Sequence, residues 1–196
     1  MPPRSLLSAR ARADLFDIPT DPDGLIRHYL LLPSDLDLIR TRRRDENQLG
    51  LAVHISLLRY PGQGWRDGVV LPPALLDWLG DQLHLSVSHL QNYASRGATR
   101  AAHQALALQH LELAPFSKAH MAMAEDITTR AAFATDHGVK IVETLVAELR
   151  KKHLVLPSVD TLERLALKGR ARARREAAAA LFDALSPGQR VQLQAL

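Results

Sequence analysis

An all-α fold is predicted: tandem helix-turn-helix-like small helical domains followed by longer helices. Three observations carry that prediction. Leu and Ala dominate the 196 residues, β-branched residues are sparse and aromatics make up only 5%, a balance that favours helices over strands. Capping residues recur just ahead of runs with helical apolar spacing. Prolines stand between those runs and not inside them, as the missing N–H and fixed φ of proline require.

Taken in order, Ser8 is placed to cap a helix through Phe16, ended by Pro19. Asp21-Pro22 opens the next with a cap and a proline at its first position, and that helix should end before Pro33. Ser34 caps a third, through Thr41. Asp45 caps a fourth, through Arg59, with Leu51, Ile55 and Leu58 on one stripe and Leu49, Val53 and Leu57 beside it. Asn47, Gly50 and His54 share a different stripe. Residues 61–72, PGQGWRDGVVLP, read as a linker. The Gly-x-Gly within it fails as a phosphate cradle, because no strand precedes it and no Lys-Ser/Thr follows.

A second helical set follows. Pro73 starts a helix to Leu83, and Ser86 or Ser88 starts a short one to Tyr93. After a turn over 95–98, Thr99 caps a helix to Leu111. From Ser117 the helices lengthen: 117–136, 138–152, and a long one after Pro157-Ser158 through Leu185. Ser186-Pro187 opens a last short helix. The grouping expected is 1–60, a linker 61–72, 73–115, and a third helical region 116–196. The apolar end at Leu196 reads as a cut within a longer chain.

Composition excludes several classes. There are no cysteines, so disulfide frameworks and thiolate metal sites are out. No apolar run approaches the ~18 residues of a membrane span, and MPPRSLLSARARAD lacks a signal core. A cytoplasmic protein is expected. No His-Glu-x-x-His pattern stands among the nine histidines, so no metal is expected. No nucleophile has a base at a suggestive spacing, so no enzyme activity and no cofactor are expected of this chain. Net charge is +4 and the pI is near 9.8, which suits a polyanion partner. Residues 116–196 hold most of the excess, with thirteen Lys/Arg against nine Asp/Glu.

Four groups of side chains are candidate contacts to double-stranded DNA. Arg42, Arg43 and Arg44 form a basic turn ahead of a helix, where guanidinium groups pair with phosphates. Equally, they could simply complement the negative end of the preceding helix. Asn47, Gln48 and His54 follow on that next helix, and Asn and Gln can each make two hydrogen bonds to adenine. Ordinary polarity of an amphipathic helix explains them as well. Arg96, Thr99, Arg100, His103 and Gln104 repeat the arrangement of turn and helix. In LKGRARARREA, Lys168, Arg172 and Arg175 share one face, which fits either phosphates or a solvated helix.

In order and spacing, these pieces resemble the N-terminal DNA-binding region of transposases of the Tn-three family, the replicative class II transposons. The resemblance runs from Arg4 to Leu196. It includes LLSARARADLFDIP, LIRHY at 25–29, SDLDLIRTRR with NQLGLAVHISLLRYPG, then Tyr93, Thr99-Arg100, His103, Pro115-Phe116 and LVAELRKKHLVLPSVDTLER at 145–164. Ala101-Ala102 depart from the charged pair usual there. The resemblance implies binding of the transposon's terminal inverted repeat DNA by 1–60 and 73–115, with 116–196 leading toward an acidic-triad catalytic part that this chain lacks. It implies self-association in a full-length transposase as a further partnership. The alternatives are a helical protein-interaction scaffold for transposase assembly and a truncated regulator occupying transposon ends.

Overall fold

A computed structural model describes residues 6–65, 69–93, 97–186 and 188–190. The fold is all-α, with no β-strand among the described residues. Nine α-helices are described: α1 Ala9–Phe16, α2 Pro22–Tyr29, α3 Pro33–Arg40, α4 Asp45–Arg59, α5 Pro73–Leu83, α6 Gly97–His110, α7 Met121–Ala134, α8 Gly138–Lys151 and α9 Val159–Ala184. Short 3₁₀ turns span Val87–Asn92 and Lys118–His120. The helix expected to begin at Ser117 therefore starts as a 3₁₀ turn.

The local signals act much as expected. The Asp21 carboxylate accepts from the Gly24 N–H at 2.8 Å, and Pro22 takes the first turn of α2. The Ser158 hydroxyl accepts from the Thr161 N–H and caps α9. α5 ends at His84, which adopts a left-handed backbone with φ +57°. Two starts differ. Arg44, not Asp45, is the N-cap of α4, so Asp45 and Glu46 sit in the first turn, where the helix dipole favours carboxylates. α6 begins at Gly97, so Thr99 lies inside the first turn instead of capping it.

The chain forms two compact units. One holds residues 12–116 with 150–157, and the other holds 1–11, 117–149 and 158–196. The first is organised on α4. Every residue of α4 from Leu49 to Leu58 is buried, and α3, α5, α6 and the 87–92 turn all pack against it. Leu25, Tyr29, Ile39, Leu75, Leu79 and Ala107 close the core around it. A helix enclosed on all sides is a core element, and burying each of its large apolar side chains contributes about 1.5–3 kcal/mol.

A polar knot ties three helices of this unit together. Asp35 of α3 is fully buried and accepts two bonds from Arg59 of α4 at 2.9 Å, one from His110 of α6 at 2.7 Å and one from the Leu32 N–H at 2.7 Å. Burial alone would raise its pKa. The bonds from His110, the Leu32 N–H and Arg59 outweigh burial and hold it below the ordinary carboxylate value. The 150–157 segment joins the same unit. Leu154 and Leu156 are buried, and the Leu156 N–H donates to the Gly62 carbonyl at 2.8 Å.

The second unit rests on α7 against α9. A Cβ at Gly169 of α9 would stand 2.3 Å from the Thr128 hydroxyl and 2.7 Å from the Thr128 backbone carbon of α7. Only glycine permits that approach. Thr128 uses it to donate to the Leu165 carbonyl at 3.1 Å. At the N-terminal edge, the Leu7 N–H donates to the Glu163 carboxylate at 2.8 Å.

Candidate nucleic-acid interface

The α3–α4 corner splits the expected basic run into braces and exposed cations. Arg42 folds back, its Nε and Nη2 donating to the Thr41 hydroxyl at 3.1 and 2.8 Å. Its carbonyl accepts from Gln48 Nε2 at 2.8 Å. Arg42 and Gln48 thus fasten the turn to the first turn of α4. Arg43 is exposed. The Arg44 side chain is 76% exposed, with Glu46 at 3.8 Å, a separation that leaves the guanidinium well solvated. Asn47 is half-buried beside them. Arg43, Arg44 and Asn47 therefore form the outward part of this corner.

His54 is corrected by the structure. It is 0% exposed at the centre of α4, with its ring 5.6 Å from Trp65 and 6.3 Å from Tyr93. Neither ring nitrogen has a hydrogen-bond partner among the described residues. Burial, then the nearby His103 and Arg100, push its pKa down to about 4. A neutral, enclosed imidazole cannot reach DNA. The near-continuous apolar run LGLAVHISLL was the sign that this stripe faces inward.

His103 is corrected for the same reason. It is 5% exposed, and its Nδ1 lies 3.0 Å from the Tyr93 hydroxyl. Burial, then Arg42, lower its pKa. On the same helix, Arg100 is half-buried, with its guanidinium carbon 4.6 Å from the centre of the Trp65 ring. Thr99 and Gln104 are half-buried. Gln104 lies close to the 61–72 segment, since a Cβ at Gly64 would stand 3.0 Å from its Nε2. Arg96 lies outside the described residues. Trp65, Tyr93 and Arg100 also line an open cleft of 540 Å³, with Ser86, Ser88 and Gln91 at its polar side.

The basic face of α9 is engaged differently. Lys168 pairs with Glu125 of α7, Arg172 with Glu176 at 2.6 Å and Arg174 with Asp136. Arg175 is exposed. No group of three or more His, Cys, Asp or Glu residues that could hold a metal ion is found among the described residues. Nor is any described helix long and apolar enough to cross a membrane.

Reasoning from residue types passed over Gly50 and Trp65. A Cβ at Gly50 would stand 2.1 Å from Tyr93 Cε2, so the ring lies directly on the α4 backbone. An isolated glycine inside an apolar helical run is the signal that marks such an approach.

A family model described as "Domain of unknown function (DUF4158)" matches residues 6–169. The chain belongs to that family. Similar proteins extend the relationship beyond the DUF4158 region. The chain is 35% identical over 196 residues to the transposase for transposon Tn501 of Pseudomonas aeruginosa. It is 37% identical over 198 residues to the transposase for Tn3926, and 34% over 196 residues to that for Tn21, both of Escherichia coli. Each alignment covers 100% of this chain and 20% of the relative, so this DUF4158 member spans about one fifth of the length of those relatives. The resemblance to Tn-three-family transposases is thereby shown.

Proposed function

We propose that this chain is the part of a transposase that binds the terminal inverted repeat DNA of its transposon. One observation carries the reading: two solvated guanidiniums, Arg43 and Arg44, stand at the tight corner leading into the first turn of α4, in a chain whose relatives are transposases. Arg43 and Arg44 grip phosphates, and Asn47 beside them reads a base edge. Arg100, with Thr99, Gln104 and Arg96 near the start of α6, makes a second contact region. Arg42 and Gln48 serve by shaping the corner. The helices between residues 12 and 60 and those of 73–115 share one core, to which Trp65 and Leu71 of the intervening stretch also belong, so they meet the duplex as one body. The 116–196 region adds phosphate contacts through Arg175, and through Lys168 and Arg172 when they exchange their carboxylate partners for phosphate.

The test is a salt titration of binding to a labelled duplex carrying the element's terminal repeat, against a scrambled duplex of equal length. Preference for the repeat by about tenfold or more at physiological salt is expected. Affinity should also fall steeply as salt rises. Equal affinity for both duplexes would reject sequence-specific recognition.

A second reading is favoured by the other unit, where Phe133 is 55% and Leu181 71% exposed and Lys168, Arg172 and Arg174 are paired with carboxylates of the same unit. In this reading residues 117–149 and 158–196 form a scaffold for assembling transposase subunits. Sedimentation of the chain alone separates the two, since a scaffold dimerises without DNA.

A further inference from the structure

Arg100 belongs to a column of stacked groups. Its guanidinium lies over Trp65 at 4.6 Å. Trp65 is nearly parallel to Tyr93, at 6° and 5.6 Å between ring centres. Tyr93 stacks in turn on His103 at 5.6 Å and 20°, and its hydroxyl meets His103 Nδ1. Gly50 supplies the floor, because any side chain there would collide with the Tyr93 ring. The column therefore runs from the α4 backbone to a half-exposed arginine in the first turn of α6. Trp65 comes from the segment that sequence pattern reads as a linker, so that segment supplies the face on which the arginine rests.

An arginine loses rotamer freedom when it grips a phosphate or a base. One already stacked on an indole has given up much of that freedom before DNA arrives, and the ring's negative face favours the cation there. We propose that Trp65 is a positioning residue for DNA binding, holding Arg100 in an ordered place so that it meets the duplex pre-organised. This inference rests on the DNA-binding reading above. It assigns Trp65 a part in recognition that acts through another residue.

The experiment compares the unaltered 196-residue chain with Trp65→Leu, Trp65→Phe, Arg100→Ala and the double variant Trp65→Leu/Arg100→Ala. Each is titrated with the terminal-repeat duplex and the scrambled duplex, with thermal melting alongside. Trp65→Leu is expected to weaken repeat binding about fivefold to tenfold. Trp65→Phe, which keeps a ring face, should restore most of that loss. In the Arg100→Ala background, adding Trp65→Leu should cost less than about twofold, because the residue it acts through is gone. A Trp65→Leu loss that persists in full without Arg100, or a Trp65→Phe loss as large, overturns the proposal. So do unchanged affinities in Trp65→Leu and Arg100→Ala while the unaltered chain still prefers the repeat, a result that spares the DNA-binding reading. No preference in the unaltered chain overturns both.

If Trp65→Leu fails to fold, the Trp78→Phe variant leaves Trp65 as the sole tryptophan. Its emission should change as the repeat duplex saturates the protein. Constant emission at saturation overturns the proposal.

Discussion

The two units solve the same packing problem with opposite materials. In the unit built on α4, a glycine admits an aromatic ring: Gly50 lies under Tyr93, and a column of rings rises from it to Arg100. In the unit built on α7 and α9, a glycine admits another helix: Gly169 lies against Thr128, and the hydroxyl bonds across to Leu165. Their cations differ in the same sense. Lys168, Arg172 and Arg174 of α9 are paired with Glu125, Glu176 and Asp136. At the α3–α4 corner Arg43 and Arg44 stay solvated, with only Glu46 at 3.8 Å. A basic stretch is a site only where nothing inside the molecule has already neutralised it. By that measure the shorter arginine run outranks the longer one.

The largest effects should come from filling the two glycines. Gly50→Ala and Gly169→Ala each gain helix propensity but force a Cβ into occupied space, at a net cost of about 1–3 kcal/mol. Gly169→Ala belongs at the upper end, because its obstacle includes the Thr128 backbone. Both tryptophans, Trp65 and Trp78, belong to the α4 unit. Urea unfolding followed by tryptophan fluorescence should therefore shift with Gly50→Ala and much less with Gly169→Ala. Circular dichroism should shift with both. Identical responses from both probes would mean that the two units unfold as one.

Next in size is a pH effect confined to the α4 unit. In the native protein His54 titrates at about 4, against an ordinary 6.5. Above pH 6.5 both states are neutral and the native advantage is complete. Between 6.5 and 4 the unfolded chain binds a proton that the native state refuses, so stability falls on acidification and levels off below 4. At pH 5 the loss is about 2 kcal/mol. His103, also lowered by burial, acts in the same direction. Urea midpoints at pH 7 and pH 5 should separate for the unaltered chain and draw together in His54→Leu. A His54→Leu variant as acid-sensitive as the parent would show that this ring is not the cause.

Smaller effects concern the cations. Replacing Arg43 and Arg44 together with alanine should reduce the slope of log affinity against log salt by about two, one for each phosphate that the variant leaves without a guanidinium. Lys168→Ala and Arg172→Ala should reduce it by less, because those side chains must first leave their carboxylates. Equal changes in slope would erase the distinction drawn between the units. Asn47→Ala should narrow the gap between repeat and scrambled duplex by about 1–3 kcal/mol while leaving the slope alone. Equal losses on both duplexes would remove Asn47 from base reading.

Much of the helical layout was legible from residue order. Asp21-Pro22, Pro73 and Ser158 mark the starts of α2, α5 and α9 within a residue, because capping and proline geometry act within one turn of the chain. The candidate contact surface was less legible. On α4, Asn47 and His54 look equivalent by spacing, yet one lies at the outer turn and the other is sealed under Trp65 and Tyr93. Arg42 and Arg43 are neighbours of identical type, and a threonine and a glutamine decide that only Arg43 points away. Nothing in the pattern of residues 150–157 shows that Leu154 and Leu156 pack with residues far earlier in the chain.

Residue order settled where helices begin and end, that strands are absent among the described residues, and where positive charge is dense. These depend on neighbours a few residues apart, whose dihedral preferences and caps operate locally. Which side chains face outward, and which cations already have a counter-charge, was settled by folding. Exposure and ion pairing depend on groups that the chain brings together across long separations, as Asp35 with His110 and Lys168 with Glu125 do.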